Sequence, residues 1–464
     1  MLIQDAELED GRRTDLRIEN GRVSAIGVLS PYLGEVVHSA GGKLLLPGLH
    51  DHHIHVAALA ASLASVHCGP PEVVDAGGLA AALGAAGTGW LRGVGYHESV
   101  AGMLDAAMLD RIVPDRPVRV QHRSGRMWFL NSAALEVLLD GRRAPTGLER
   151  IGGRYSGRLF EGDVWLRTAL DGTLPSFSTV SARLAARGVT GLTEMSPAND
   201  RTVALHFVNE HARGRLAQKA LLAGKSELAA ADLGHGIRLG PVKLHLHEAD
   251  LPPFEAAVTS IREAHRGGRS IAVHCATEVE LVFTLAALAE AGVQSGDRIE
   301  HASIAPDSAI AEIARLGLAV VSQPHFIAER GDAYRADVAD ADQSLLYRLN
   351  AFRVAGVTLA GGSDAPFGGT DPWASMAAAV SRQTPSGEQI GATEALTPEQ
   401  ALGLYLAAPE ALGQRRRVEV GAAADLCLLD RNWWSARTDL ASVGVRATWI
   451  DGRLVHDGVD QAPA

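Results

Sequence analysis

The segment "LLLPGLHDHHIHV" at 44–56 sets Asp51, His52, His53 and His55 directly behind an apolar run. Alternate residues of a strand share a side, so His53 and His55 face one way. Two imidazoles on one face at the end of a buried strand are part of a metal chelate. A lone His-x-His is by default an ordinary loop pair. Further strand ends shift the balance: "VKLHLH" carries Lys243, "IAVHC" His274, "RIEHAS" His301 and "GGSDAP" Asp364. Imidazoles with a carboxylate are first-row metal ligands, and imidazole favours Zn, Fe, Ni or Mn over Mg. Lys243 is the odd member, because an ammonium repels a cation. A buried lysine readily loses its proton, and the neutral amine can take up carbon dioxide as a carbamate, an anion able to bridge two metals. The competing reading of Lys243 is a rim lysine paired with a carboxylate. Glu194, at the end of "GLTEM", is the alternative bridging ligand, or else an internal salt-bridge partner.

These groups need elements that bring strand ends together. Short apolar strands are predicted at 44–55, 117–122, 188–195, 241–247, 270–277, 298–303, 318–325 and 357–364. Helical patterns separate most of them, one running from Thr277 as N-cap to Gly292. Alternating strands and helices imply a parallel sheet, and eight such strands a closed (β/α)8 TIM barrel. Catalytic residues of that fold sit at the C-terminal strand ends, where this set falls. Both termini read instead as β, with hairpin signals at Asn20-Gly21 and Asp451-Gly452. The expected organisation is a composite β-sandwich from 1–47 and 413–464, and a metal-dependent barrel over 48–412. An insertion around 65–180 is expected over the barrel mouth. Its Tyr96, His97, Arg126 and Trp128 are candidate substrate contacts, as is His325 at the end of the seventh strand. Loop packing is the alternative for each. His245 and His247 share the Lys243 face and read as packing or rim groups. Asp51 reads as a support for the ligands, and Cys275 as a packing residue.

Composition excludes several classes. The chain has 464 residues, 43 basic against 54 acidic side chains and a formal net charge of −11. No basic stripe suggests a nucleic-acid partner. Cys68, Cys275 and Cys427 have no CxxC spacing, which fits a reducing compartment. No signal peptide or membrane-spanning run is evident. The expectation is a soluble cytoplasmic enzyme with a small-molecule substrate and no membrane partner. A homodimer is the default oligomer.

The set resembles the amidohydrolase superfamily. "PGLHDHHIH" looks like its first-strand His-x-His signature, "VKLHLH" its lysine strand, "IAVHC" and "RIEHAS" its two histidine strands, and "GGSDAP" its eighth-strand aspartate. "GSDAPFGGTDPWASMAAAVSR" and "VRVQHRSGRMWFLNSAAL" resemble the amidohydrolase-3 branch, which includes N-substituted formamide deformylases. That branch usually has a histidine where Arg126 stands, which implies a changed substrate contact. The resemblance implies a binuclear metal centre, two Zn per chain, with Mn, Fe or Ni as alternatives. One ion would be held by His53, His55, carboxylated Lys243 and Asp364, the other by Lys243, His274 and His301. A metal-bridging hydroxide would cleave a non-peptide C–N bond in an amide, N-formyl or cyclic amide, with Asp364 as the catalytic proton carrier. The alternatives are a mononuclear-metal deaminase of an aminated ring, an ester or lactone hydrolase, or a barrel without activity.

Overall fold

In "IAVHC" the residues Ile271, Val273 and Cys275 alternate with Ala272 and His274, and this alternation decides which side faces what. Ile271, Val273 and Cys275 pack with Val242, Ile299 and Val320 of neighbouring strands against Val258, Ile261, Leu281, Leu285, Ile310 and Ile313 of the surrounding helices. Burying each of these side chains contributes roughly 1.5–3 kcal/mol. Ala272 and His274 are left on the opposite, inner face of the sheet.

The computed structural model describes residues 1–84, 89–170 and 174–458. Parts of the expected sandwich segment (459–464) and insertion (85–88 and 171–173) thus lie outside the described residues. Eight parallel strands form the central sheet: β1 Leu49–Ile54, β2 Val189–Glu194, β3 Lys219–Gly224, β4 Ile237–His245, β5 Ile271–Cys275, β6 Arg298–His301, β7 Ala319–Ser322 and β8 Thr358–Gly361. They pair in chain order from β1 to β8. The ring closes just beyond β8, where Asp364 N–H donates to the His53 carbonyl at 2.6 Å and His55 N–H to that of Ala365 at 2.9 Å. Gly362 permits this approach, because a Cβ there would lie 2.5 Å from the backbone nitrogen of His53. The fold is a (β/α)8 barrel. Helix Glu278–Ala291 lies between β5 and β6, with Thr277 and Glu280 forming a capping box and Gly292 at its end.

One predicted barrel strand belongs elsewhere. Val118–His122 pairs with Leu91–Tyr96 and Met127–Leu130 in a separate six-stranded sheet. The barrel strand in its stead is β3, "KALLAG", which the sequence reading passes over. The chain divides into two compact units: Met1–Val56 with Ser176–Ala464, and Ala57–Pro175. The second unit contains the six-stranded sheet and helices such as Ser132–Leu139.

The terminal segments form two four-stranded sheets. Leu2–Glu7, Arg13–Glu19, Arg22–Gly27 and Val37–Ser39 make one; Leu45–Pro47, Leu426–Leu429, Val445–Ile450 and Arg453–Asp457 make the other. Leu16, Ile18 and Val23 of the first share a core with Leu426, Leu428 and Trp449 of the second, which makes a β-sandwich. Both expected hairpin turns have left-handed backbone, at Asn20 (φ 52°) and Gly21 (φ 74°), and at Asp451 (φ 47°) and Gly452 (φ 74°).

Candidate metal centre

The barrel seam assembles the first ligands. His53 and His55 end and follow β1, and Asp364 follows β8, so the closure bonds join these same residues. Asp364 Oδ1 lies 3.0 Å from His55 Nε2 and 3.3 Å from His53 Nε2. Asp51 pins the seam: its Oδ1 accepts from His53 N–H at 3.1 Å and Ser363 N–H at 2.9 Å. Burial pushes the Asp51 carboxyl up to about 6 despite those bonds. It braces the ligands, as expected.

His274 and His301 come from β5 and β6, with ring centroids 4.5 Å apart, and His301 lies 4.8 Å from the His53 ring. Strand alternation alone would turn His301 outward with Ile299. Its φ of 72° turns the chain at that point, and Asp364 is likewise left-handed at 52°. Such strain in non-glycine residues persists where the surroundings over-determine it, as functional sites do. Burial holds the His301 imidazole down to about 3 and keeps His274 far below its ordinary range. Both therefore stay neutral, as ligands must. Burial also pushes His53 down, yet the Glu300 and Asp364 carboxylates outweigh it and raise the ring above its usual value. Asp364 is held well below the carboxylate range by His53 and His55, against the effect of burial.

Lys243 enters the same space from β4. It is 6% exposed, and its Nζ is buried with no hydrogen-bond partner among the described residues. Burial lowers the amine to about 8, with Glu300 and Asp364 opposing. An ammonium without a partner in such a place is costly. A group that either loses its proton or gains an anionic adduct resolves that cost.

These residues fit a divalent metal. Donor atoms of His53, His301 and Asp364 all lie within 4.8 Å of one another. The set offers imidazole nitrogens and an ionised carboxylate, with Lys243 beside them.

Glu194 is fully buried but its oxygens are engaged elsewhere. Oε2 accepts from Val56 N–H at 2.6 Å; Oε1 accepts from Ser196 N–H at 3.0 Å and Asn199 Nδ2 at 3.2 Å. It caps the loops after β1 and β2 through these bonds. His325 is also fully engaged, its Nδ1 with Ser375 Oγ at 3.0 Å and its Nε2 with the Ser363 carbonyl at 2.9 Å. That use braces the loop carrying Asp364. His245 packs its tilted ring against those of His274 and His247, at 4.4 and 4.5 Å between centroids. Cys275 packs outward, its thiol near Thr284 Oγ1 at 3.3 Å.

The remaining candidates lie in the second unit. Tyr96 is fully buried in its core, with the hydroxyl donating to the Gly102 carbonyl at 2.6 Å. Trp128 is 4% exposed and donates from Nε1 to Asp163 at 3.0 Å. Both positions are packing positions. Arg126 is exposed and pairs with Glu161. His97 and His122 flank Glu98, whose Oε2 lies 2.9 Å from His122 Nε2 and 3.5 Å from His97 Nε2.

Sequence reasoning missed the residues behind the ligands. Glu300, fully buried, meets His53 Nδ1 at 2.5 Å; Gln323 meets His301 Nδ1 at 2.8 Å; Ser196 meets His55 Nδ1 at 2.9 Å. The available signal was Glu300 itself, an acid in an apolar strand next to a ligand. Phe367, edge-on to His55 at 5.6 Å, supplies an apolar wall.

Comparison with known proteins gives the family and the fold. The Amidohydro_3 model of the amidohydrolase family matches residues 36–456. An N-substituted formamide deformylase of Arthrobacter pascens is 24% identical, the match covering 95% of this chain and 94% of the relative. The putative amidohydrolase YtcJ of Bacillus subtilis (strain 168) is also 24% identical, over 97% of each chain. Among solved structures, an uncharacterized metal-dependent hydrolase from Pyrococcus horikoshii OT3 superimposes with a TM-score of 0.78 at 19% identity, covering 93% of this chain and 97% of that one.

Proposed function

The chain belongs to the amidohydrolase family, a metal-dependent hydrolase of carbon–nitrogen bonds other than peptide bonds, and we propose that it acts on a small amide, N-formyl or cyclic-amide substrate with two divalent ions, Zn foremost. The N-substituted formamide deformylase among its relatives supports the N-formyl class. His53, His55 and Asp364 would hold one ion and His274 and His301 the other, with Lys243 as a carbamate between them. Bound metal supplies Lewis acidity and activates water at neutral pH.

The chain's own residues do the rest. Asp364 uses Oδ1 toward His53 and His55, and its carboxylate takes the proton from the attacking water and passes it to the leaving nitrogen. It is ionised before substrate arrives, held so by His53 and His55, and therefore carries no proton of its own. His245, its ring tilted 4.4 Å from His274, would offer a neutral imidazole to the substrate. Phe367, edge-on to His55, would offer an apolar surface to the substrate. The observation that carries this reading is the buried Lys243 Nζ beside the imidazoles and Asp364, without a hydrogen-bond partner among the described residues.

The test is metal content per chain together with a screen of N-formyl amines, N-acyl amino acids, lactams and aminopurines. Two ions and turnover of an amide or formamide are expected. One ion with ammonia release from an aminopurine would establish the deaminase instead, and turnover confined to lactones the ester hydrolase.

A further inference from the structure

We propose that Glu300, braced by Arg298, is the positioning residue that makes His53 the anchor ligand of the metal centre. The inference rests on the metal-dependent reading above. Glu300 is fully buried and Arg298 is 2% exposed. Glu300 Oε2 accepts from His53 Nδ1–H at 2.5 Å, and Oε1 accepts from Arg298 Nε–H at 2.6 Å. Arg298 also donates from Nη2 to the His52 carbonyl at 3.0 Å. One guanidinium thus grips both the carboxylate that holds the His53 ring and the backbone that leads into His53. The arrangement fixes the proton of His53 on Nδ1 and turns the Nε2 lone pair toward the side where Asp364 lies.

The other ligands are held more weakly. His301 meets the neutral amide of Gln323, and His55 meets the hydroxyl of Ser196. A carboxylate partner makes an imidazole more basic as well as better aligned, and an ionised partner forms the stronger bond. The ranking of outer contacts predicts the ranking of ligands, with His53 first. A purely structural Arg298–Glu300 pair would predict a fold defect with no change in the metal. Glutamine at 300 separates the two readings. It keeps the shape but has a single acceptor oxygen, so its amide group must point N–H at either Arg298 Nε–H or His53 Nδ1–H.

The experiment compares zinc affinity by competition with a chromophoric chelator, using the full chain. Glu300→Gln is expected to weaken binding about 10–100-fold, with Ser196→Ala causing a smaller loss. In the native protein, proton NMR should show a far-downfield His53 Nδ1–H signal that Glu300→Gln removes. Arg298→Met with Glu300→Gln removes the buried cation and leaves the Gln oxygen free for His53, so this double variant should fold and bind with intermediate affinity. It serves as the test if the single variant does not fold. Unchanged zinc affinity in Glu300→Gln, or in the double variant, overturns the proposal. A wild-type protein that takes up no divalent ion overturns the metal reading instead.

Discussion

Two regions of the molecule gather histidines around a carboxylate, and only one is built as a ligand set. In the barrel, His53 and His301 turn Nδ1 onto the acceptors Glu300 and Gln323, so the neutral ring carries its proton there and presents the Nε2 lone pair, in His53 on the side of Asp364 Oδ1 at 3.3 Å. In the second unit, His97 and His122 turn Nδ1 onto backbone N–H groups, those of Ser99 and Ser124, both at 3.2 Å. A nitrogen that accepts from a backbone N–H cannot carry the proton, so the neutral ring carries it on Nε2. There it faces Glu98. The same residue types therefore give a lone pair in one place and an N–H in the other. The group behind the imidazole, not the spacing of histidines, decides which.

The largest effect is expected where the lone pairs converge. Asp364→Asn should leave the barrel folded and lower kcat by about 10²–10⁴-fold, the usual contribution of a general acid–base group. Retention of more than a tenth of the rate would remove Asp364 from proton transfer. The isosteric amide keeps the backbone bond from Asp364 N–H to His53, so circular dichroism should not change.

The contrast also marks what a reader of the sequence can see. The candidate ligands His53, His55, Lys243, His274, His301 and Asp364 are legible because each lies at or near the end of an apolar strand, and strand ends meet in a barrel. "PVRVQH" has the same grammar, a β-branched run ending in histidine, yet its partners are Leu91–Tyr96 and Met127–Leu130. Strand composition does not encode which sheet a strand joins. "KALLAG" was illegible for the opposite reason, since alanine and leucine suit a helix as well as a strand. Glu300 escaped because alternation places consecutive residues on opposite faces, and only the left-handed turn at His301 lets both approach His53.

Lys243→Ala should come next, losing metal and activity together, with a short carboxylic acid restoring part of the rate. The lysine also gives a pH signature. Folded, it loses its proton near 8; unfolded, it holds it to 10.5. Between those values the unfolded state binds more protons, so the stability of the chelated protein should rise with pH across that window. The neutral amine grows over the same range. At fixed dissolved carbon dioxide, a ¹³C carbamate resonance should strengthen as pH passes 8, and a signal absent at every pH would refute the carbamate. Glu194→Gln should act on stability instead. Its carboxylate caps Val56, Ser196 and Asn199, so the variant should lose about 1–3 kcal/mol and keep its full metal content. Loss of metal would make Glu194 the bridge.

The smallest effect sharpens the comparison most. His122→Ala removes one of the two rings around Glu98, and metal content should not change. If His122 bound an ion through Nε2, its ring would have to move its proton to Nδ1, against the Ser124 N–H that Nδ1 already accepts. That exchange gives up the Ser124 N–H contact and leaves the Ser124 hydroxyl, 2.8 Å from Nδ1, to accept the moved proton, at a cost of about 1–3 kcal/mol for the backbone N–H left unsatisfied. Ions should therefore partition to the barrel, where no such exchange is needed. The measurement is zinc bound per chain at increasing free zinc, in wild type and His122→Ala. Superimposable curves are expected. A wild-type curve with an additional ion that His122→Ala abolishes would show that the second cluster reverses its tautomer to bind, and that the group behind the ring is not decisive.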